Sequence, residues 1–197
     1  MKIKICGLSR VRDILAVNAC KPDYAGFVLA PSRRRVSVDT LCELRGMLEN
    51  AVSAVGVFAD ETPENAAALL NRGVIDIAQL HGSEDAQYIA RLRKLTDKPI
   101  IKAVCGVTPE SIENARNMGA DMLLLDGARG GSGKSFDWSV IPRLDMPWFL
   151  AGGLDESNLA DAAKLAPYCL DISGGAETDG VKDPEKIRIL IEKARSL

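Results

Sequence analysis

Eight times along the chain, a short run rich in Val, Ile, Leu and Ala is followed by an amphipathic stretch of helical length. No other feature constrains the fold as strongly. Apolar runs such as ADMLLLD (120–126) and KPIIKAV (98–104) lack the polar alternation of a half-exposed strand. They must be covered on both faces, as in a parallel sheet under helices. The spacing predicts strands near 2–6, 23–29, 52–58, 75–80, 98–104, 120–126, 147–151 and 168–173. Helices are predicted near 9–20, 38–49, 62–72, 84–95, 108–118, 136–141, 155–166 and 183–196. Eight such units, with no linker or low-complexity tract, suggest an α/β fold with a single (β/α)8 TIM-barrel domain over residues 1–197. An open doubly wound sheet is the competing arrangement, because alternation alone does not prove closure.

Local chemistry supports these boundaries. Thr62-Pro63, Thr108-Pro109 and Asp183-Pro184 each place a capping side chain before a proline, which suits a helix start. Gly73 and Gly119 follow helical stretches, where a left-handed residue ends the helix. A formal net charge of -2 gives no broad basic field for nucleic acid, so the run Arg33-Arg34-Arg35 must be judged locally. No apolar run approaches the roughly 20 residues that span a bilayer. MKIKICG begins directly with a strand, without a signal region. Five cysteines without metal or redox spacing, and one histidine, argue against zinc and for free thiols in a reducing cytoplasm.

Side chains two apart on a strand share a face. Lys4 and Cys6 therefore point the same way, as do Gln79 with His81, Met122 and Leu124 with Asp126, and Asp171 with Ser173. Lys4, Lys102, Asp126 and Asp171 are costly to bury unless partnered. They make sense on a face that opens into a polar site at the carboxyl ends of the strands, where such folds bind ligands. Asp171 is read either as a substrate-orienting group or as the buried partner of Lys4 or Lys102. The segment GARGGSGKSFDW (127–138) superficially resembles a phosphate-binding P-loop, but Ala128 stands where that motif needs its first glycine. It also follows the sixth strand and not the first. It reads better as a flexible loop over the site. Gly152 and Gly153 follow the seventh strand, and Gly174 and Gly175 the eighth. Barrels often bind phosphate there through backbone amides, which makes Gly152, Gly153, Ser173, Gly174 and Gly175 the candidate phosphate residues.

Several motifs resemble those of the phosphoribosylanthranilate isomerase family. They are KICG (4–7), GVF (56–58), QLHG (79–82), IKAV (101–104), LLLDG (123–127), GGSGKSFDW (130–138) and AGGL (151–154), in family order across the chain. The resemblance implies a (β/α)8 barrel acting in tryptophan biosynthesis. It would convert N-(5-phosphoribosyl)anthranilate to 1-(2-carboxyphenylamino)-1-deoxyribulose 5-phosphate without metal, nucleotide or redox cofactor. It also implies that Cys6 is the general base and Asp126 the general acid. Arg34 would bind the anthranilate carboxylate, with Arg35 the alternative, because Arg33 replaces the family's proline. Gly174 stands where the family commonly has serine. His81 would orient substrate and not transfer the proton. Lys4 is expected to favour the Cys6 thiolate.

The partner implied is a small phosphorylated aminosugar, with neither nucleic acid nor membrane, on a monomer or homodimer. Two other readings are a different phosphosugar isomerase or epimerase barrel, and a barrel that binds a phosphorylated ligand without turnover. Cys6 argues against the histidine-pathway relative, which uses two aspartates. The presence of both Cys6 and Asp126 argues against a binding-only barrel.

Overall fold

The computed structural model of the chain describes residues 1–127 and 136–197. Eight parallel strands close into a barrel in sequence order. They are β1 (Lys2–Cys6), β2 (Tyr24–Val28), β3 (Ser53–Phe58), β4 (Ile77–Leu80), β5 (Ile100–Cys105), β6 (Met122–Asp126), β7 (Trp148–Ala151) and β8 (Cys169–Ile172). Closure comes from β1 lying beside β8, with Lys4 opposite Asp171 and Ile5 opposite Ile172. That pairing excludes the open sheet.

The outer layer holds α1 (Val11–Cys20), α2 (Val38–Met47), α3 (Pro63–Asn71), α4 (Ala86–Arg93), α5 (Pro109–Arg116), α6 (Leu159–Ala163) and α7 (Pro184–Ser196). The caps expected from sequence are in place. Thr62, Thr108 and Asp183 accept backbone N–H bonds at the starts of α3, α5 and α7. Gly73 and Gly119 take left-handed φ of 71° and 87°. Two predicted helices are shorter than expected. The stretch 136–141 yields only a 3-10 turn at Trp138–Val140, and 155–166 yields α6 alone. Pro142 closes the first of these stretches. Asn158 and Asp155 bond each other's loop around the start of the second, a role that competes with helix.

Two apolar cores follow from strand alternation. One lies between strands and helices and includes Ile3, Ile5, Phe58, Leu80, Leu123 and Leu125. The other fills the barrel lumen with Tyr24, Val55, Ile77, Ile101, Met122, Leu124, Phe149 and Cys169. The lumen changes character along its axis. On β4 it runs from Ile77 to Gln79 and His81, on β6 from Met122 to Asp126, and on β8 from Cys169 to Asp171 and Ser173. The amino-terminal end is therefore an apolar plug and the carboxyl-terminal end a polar mouth. Beyond β8 the chain adds a 3-10 turn (Gly174–Ala176) and a small antiparallel ribbon, β9 (Glu177–Thr178) with β10 (Val181–Lys182), which the sequence pattern did not announce.

Candidate active site

A cavity of about 910 Å³ opens at the mouth. Its lining includes the candidate catalytic, substrate-binding and phosphate-binding residues Cys6, Asp126, Arg34, His81, Asp171, Gly152, Gly153, Ser173, Gly174 and Gly175. They come from β1, β6 and β8 and from the loops after β2, β4, β7 and β8, so barrel closure brings them together. The loop expected over the site falls largely on residues 128–135, outside the described residues.

Lys102 does not belong to this cavity. Its strand neighbours Ile101 and Ala103 face the lumen, which turns Lys102 toward the helices. There its Nζ donates to Gly82 O at 2.8 Å and pairs with Glu84 at 3.0 Å. Alternation on β5 fixes that face. The expectation that Lys102 joins the polar mouth is thereby corrected.

The floor of the cavity is built around Lys4, which is fully buried. Its ammonium donates to Gln79 Oε1 at 2.8 Å and Asp171 Oδ2 at 2.9 Å, and it interacts electrostatically with the Cys6 thiol. Two buried acceptors, one of them a carboxylate, are what allow a cation to sit in a barrel interior. Burial opposes the charged form, but Asp171 and Cys6 outweigh it, and Lys4 is raised above its ordinary value. Asp171 is therefore the partner of Lys4. Its Oδ1 is buried without a hydrogen-bond partner among the described residues, on a side chain that lines the cavity. Close approach shapes this floor too, because a Cβ on Gly26 would lie 2.7 Å from Cys6 Sγ.

Cys6 is buried, and burial pushes its thiol up. Lys4 and Lys182 pull it down, yet the net direction is upward. The expectation that Lys4 tunes the thiol downward holds for that one interaction and fails for the sum, because desolvation of a thiolate is the larger effect.

Across the mouth, His81 and Asp126 form a second cluster. His81 Nδ1 lies 2.9 Å from Gln79 Nε2, and its Nε2 lies 3.5 Å from Asp126 Oδ2. Burial lowers the imidazole's pKa. Hydrogen bonds to Asp126 and Cys105 outweigh it, and these neighbours alone would pull the ring up to about 9, a charge that the Gln79 amide donor at Nδ1 opposes. Cys105 is adjacent to Asp126 across the β5–β6 ladder.

The rim is cationic. Arg34 runs over Gly7, whose φ of 85° and lack of a Cβ leave room for it. Its Nε and Nη2 donate to Glu177 at 2.5 and 3.0 Å. Arg33 and Lys182 reach the same carboxylate at 2.5 and 2.6 Å. Burial would raise Glu177, but these three cations hold it well below the usual carboxylate range, at about 2. Arg35 is exposed and does not line the cavity. Gln79, Glu177 and Lys182 were not singled out as site residues. For Gln79 the signal existed in its shared face with His81. Glu177 carried none, because 143 residues separate it from Arg34.

A closed (β/α)8 barrel with an acid–base-capable polar cavity at the carboxyl ends of its strands has the architecture of the TIM-barrel enzymes. Residues 3–193 match the family described as N-(5'-phosphoribosyl)anthranilate (PRA) isomerase. The N-(5'-phosphoribosyl)anthranilate isomerase of Endomicrobium trichonymphae is 45% identical over 201 residues, covering 100% of this chain and 99% of that one. The crystal structure of phosphoribosyl anthranilate isomerase from Thermotoga maritima superposes with a TM-score of 0.90 at 33% identity, covering 100% of both chains. Another solved phosphoribosyl anthranilate isomerase, in complex with reduced 1-(o-carboxyphenylamino)-1-deoxyribulose 5-phosphate, has a TM-score of 0.85 at 30% identity, again covering 100% of both. The chain belongs to the phosphoribosylanthranilate isomerase family, whose members are isomerases of tryptophan biosynthesis.

Proposed function

We propose that the chain carries out the Amadori rearrangement of N-(5-phosphoribosyl)anthranilate, with Asp126 as general acid and Cys6 as general base. The observation that carries this reading is the placement of both side chains at one end of the barrel, lining one cavity with a cationic rim. β1 and β6 are not neighbours in the sheet, so the two groups approach a bound sugar from different sides. The reaction needs that separation, since the ring oxygen and the C2′ hydrogen are different targets.

Asp126 gives its proton to the furanose ring oxygen as the C1′–O bond breaks, and the nitrogen lone pair forms a C1′=N bond. Cys6, as thiolate, removes the proton at C2′. The released electron pair forms C1′=C2′ and returns the C=N pair to nitrogen. The resulting enolamine becomes the ketone by moving a proton from the C2′ hydroxyl to C1′. Every electron pair stays within substrate and side chains, so the step needs no external oxidant or reductant. With its thiol raised, Cys6 is scarce as thiolate at neutral pH but strongly basic when formed.

Arg34 takes the anthranilate carboxylate. Glu177 engages its Nε–Nη2 edge, and a guanidinium has a second edge, through Nη1, with bidentate geometry. The loops with Gly152, Gly153, Ser173, Gly174 and Gly175 take the phosphate through backbone amides and the Ser173 hydroxyl. Asp171 Oδ1 accepts a substrate hydroxyl. The cavity volume lies within the range of small-molecule sites, roughly 300–1,000 Å³.

The test is consumption of phosphoribosylanthranilate by the purified protein, followed by fluorescence. Cys6→Ala and Asp126→Asn should each lower kcat by roughly 10²–10⁴-fold with little change in binding, the contribution of one proton-transfer group. Turnover near the native rate in either variant removes that residue from the mechanism.

A further inference from the structure

We infer that Gln79 is a positioning residue that holds His81 neutral, with its one N–H on Nε2 directed at Asp126. Lys4 fixes the orientation of the Gln79 amide. An ammonium can only donate, so the atom of Gln79 lying 2.8 Å from Lys4 Nζ is its carbonyl oxygen. The amide nitrogen must then point the other way, and it lies 2.9 Å from His81 Nδ1. An amide NH2 can only donate as well. His81 Nδ1 is therefore an acceptor and carries no proton. The ring's hydrogen sits on Nε2, which faces Asp126 Oδ2 at 3.5 Å.

A second proton on the ring would go to Nδ1 and collide with the amide donor. Rotating the amide to receive it would keep the contact with His81 but aim NH2 at the Lys4 ammonium, losing the buried Lys4–Gln79 hydrogen bond and setting donor against donor. Gln79 and Lys4 are 1% and 0% exposed, so water cannot replace that bond. Among the described residues, the groups facing the ring are Gln79 from its own strand, Asp126 from β6 and Cys105 from β5. Lys4 and Asp171 stand behind Gln79. Asp126 draws a proton toward the ring, and the locked amide opposes it. The amide decides, because its orientation is fixed by a donor that cannot reverse.

The consequence concerns Asp126 and rests on the acid role proposed above. An imidazolium would set a positive charge 3.5 Å from Asp126 Oδ2, whereas the neutral ring offers that oxygen an N–H and no charge. When the Asp126 proton leaves for the ring oxygen, the new carboxylate accepts from the Nε2–H already aimed at it, and His81 neither gains nor loses a proton. In this way the cation that serves Cys6 also sets the state of the group beside Asp126, through one glutamine.

His81 is the chain's only histidine, so its ring nitrogens can be read without assignment in protein labelled with ¹⁵N-histidine. At pH 7.5 the native protein is expected to show a bare, pyridine-type Nδ1 and a protonated Nε2. Gln79→Glu places an acceptor beside Nδ1 and should move the proton there or add a second one. Its kcat should fall about tenfold or more, short of the 10²–10⁴-fold loss of the acid itself, with KM within roughly threefold. A native ring protonated at Nδ1 would overturn the inference. So would a Gln79→Glu ring identical to native, or unchanged kcat despite an altered ring. The native spectrum decides the tautomer even if the variant does not fold. Native protein inert toward phosphoribosylanthranilate would sink the acid–base reading, and the imidazole spectrum would still test the tautomer.

Discussion

The floor and the rim of the cavity solve opposite electrostatic problems. On the floor, one buried cation is matched to its surroundings: Lys4 meets one carboxylate, one amide and one thiol. Its charge is spent internally. At the rim, one carboxylate is surrounded by three cations, Arg33, Arg34 and Lys182. Three positive charges against one leave that cluster net cationic. A neutralised floor suits proton transfer, where the charge states of thiol and acid must be fixed in advance. A cationic rim suits capture of an anionic ligand, and the partly exposed arginines keep water nearby to exchange for it. Burial is the variable that separates the two regions.

The largest expected effect breaks the floor. Lys4→Met leaves Asp171 as an uncompensated buried carboxylate and should destabilise the fold by about 3–5 kcal/mol in urea unfolding. Adding Asp171→Leu should recover much of that loss without restoring activity. A single Lys4→Met variant as stable as native would mean that the floor pair carries no structural load.

Breaking the rim should touch binding first. Arg34→Ala should weaken substrate binding by about 2–5 kcal/mol if the carboxylate contact is desolvated. It should appear as a raised KM with kcat less affected. Arg35→Ala should do little, since Arg35 lies outside the cavity. The reverse ranking would shift the anion contact by one residue.

The smallest effect sharpens the comparison through pH. Glu177 is held at about 2 in the folded chain, against 4.5 for the free side chain. A depressed carboxylate stabilises the fold above about 4.5, and that contribution is lost as pH falls toward 2. Unfolding free energies of native protein and Glu177→Gln should therefore converge between pH 5 and about 2 if the rim cluster stabilises the fold. Parallel curves over that window would show that the cations draw nothing from Glu177.

Much of this was legible before any coordinates. The buried strands, the proline-marked helix starts at Thr62, Thr108 and Asp183, and the parity that put Cys6, His81, Asp126 and Asp171 on one face are local properties of the chain. Lys102 marks the limit of that reading. Its charge suggested the mouth, while its position between Ile101 and Ala103 sent it to the helix side. Chemistry said polar site, periodicity said outer face, and periodicity prevailed because a strand cannot twist one side chain to the other face. The shortened helices at 136–141 and 155–166 were missed because proline and side-chain turn bonds there compete with helical ones.

What the sequence determined, then, was alternation: which segments are strands, which faces are apolar, and which reactive groups end each strand. Closure of β8 onto β1 was decided only in three dimensions. It set Lys4 beside Asp171 across 167 residues and Glu177 beside Arg34 across 143. Local periodicity cannot encode such pairings. The direction in which the Cys6 thiol is tuned belongs to the same class, since desolvation depends on everything packed around a group and not on its neighbours in the chain.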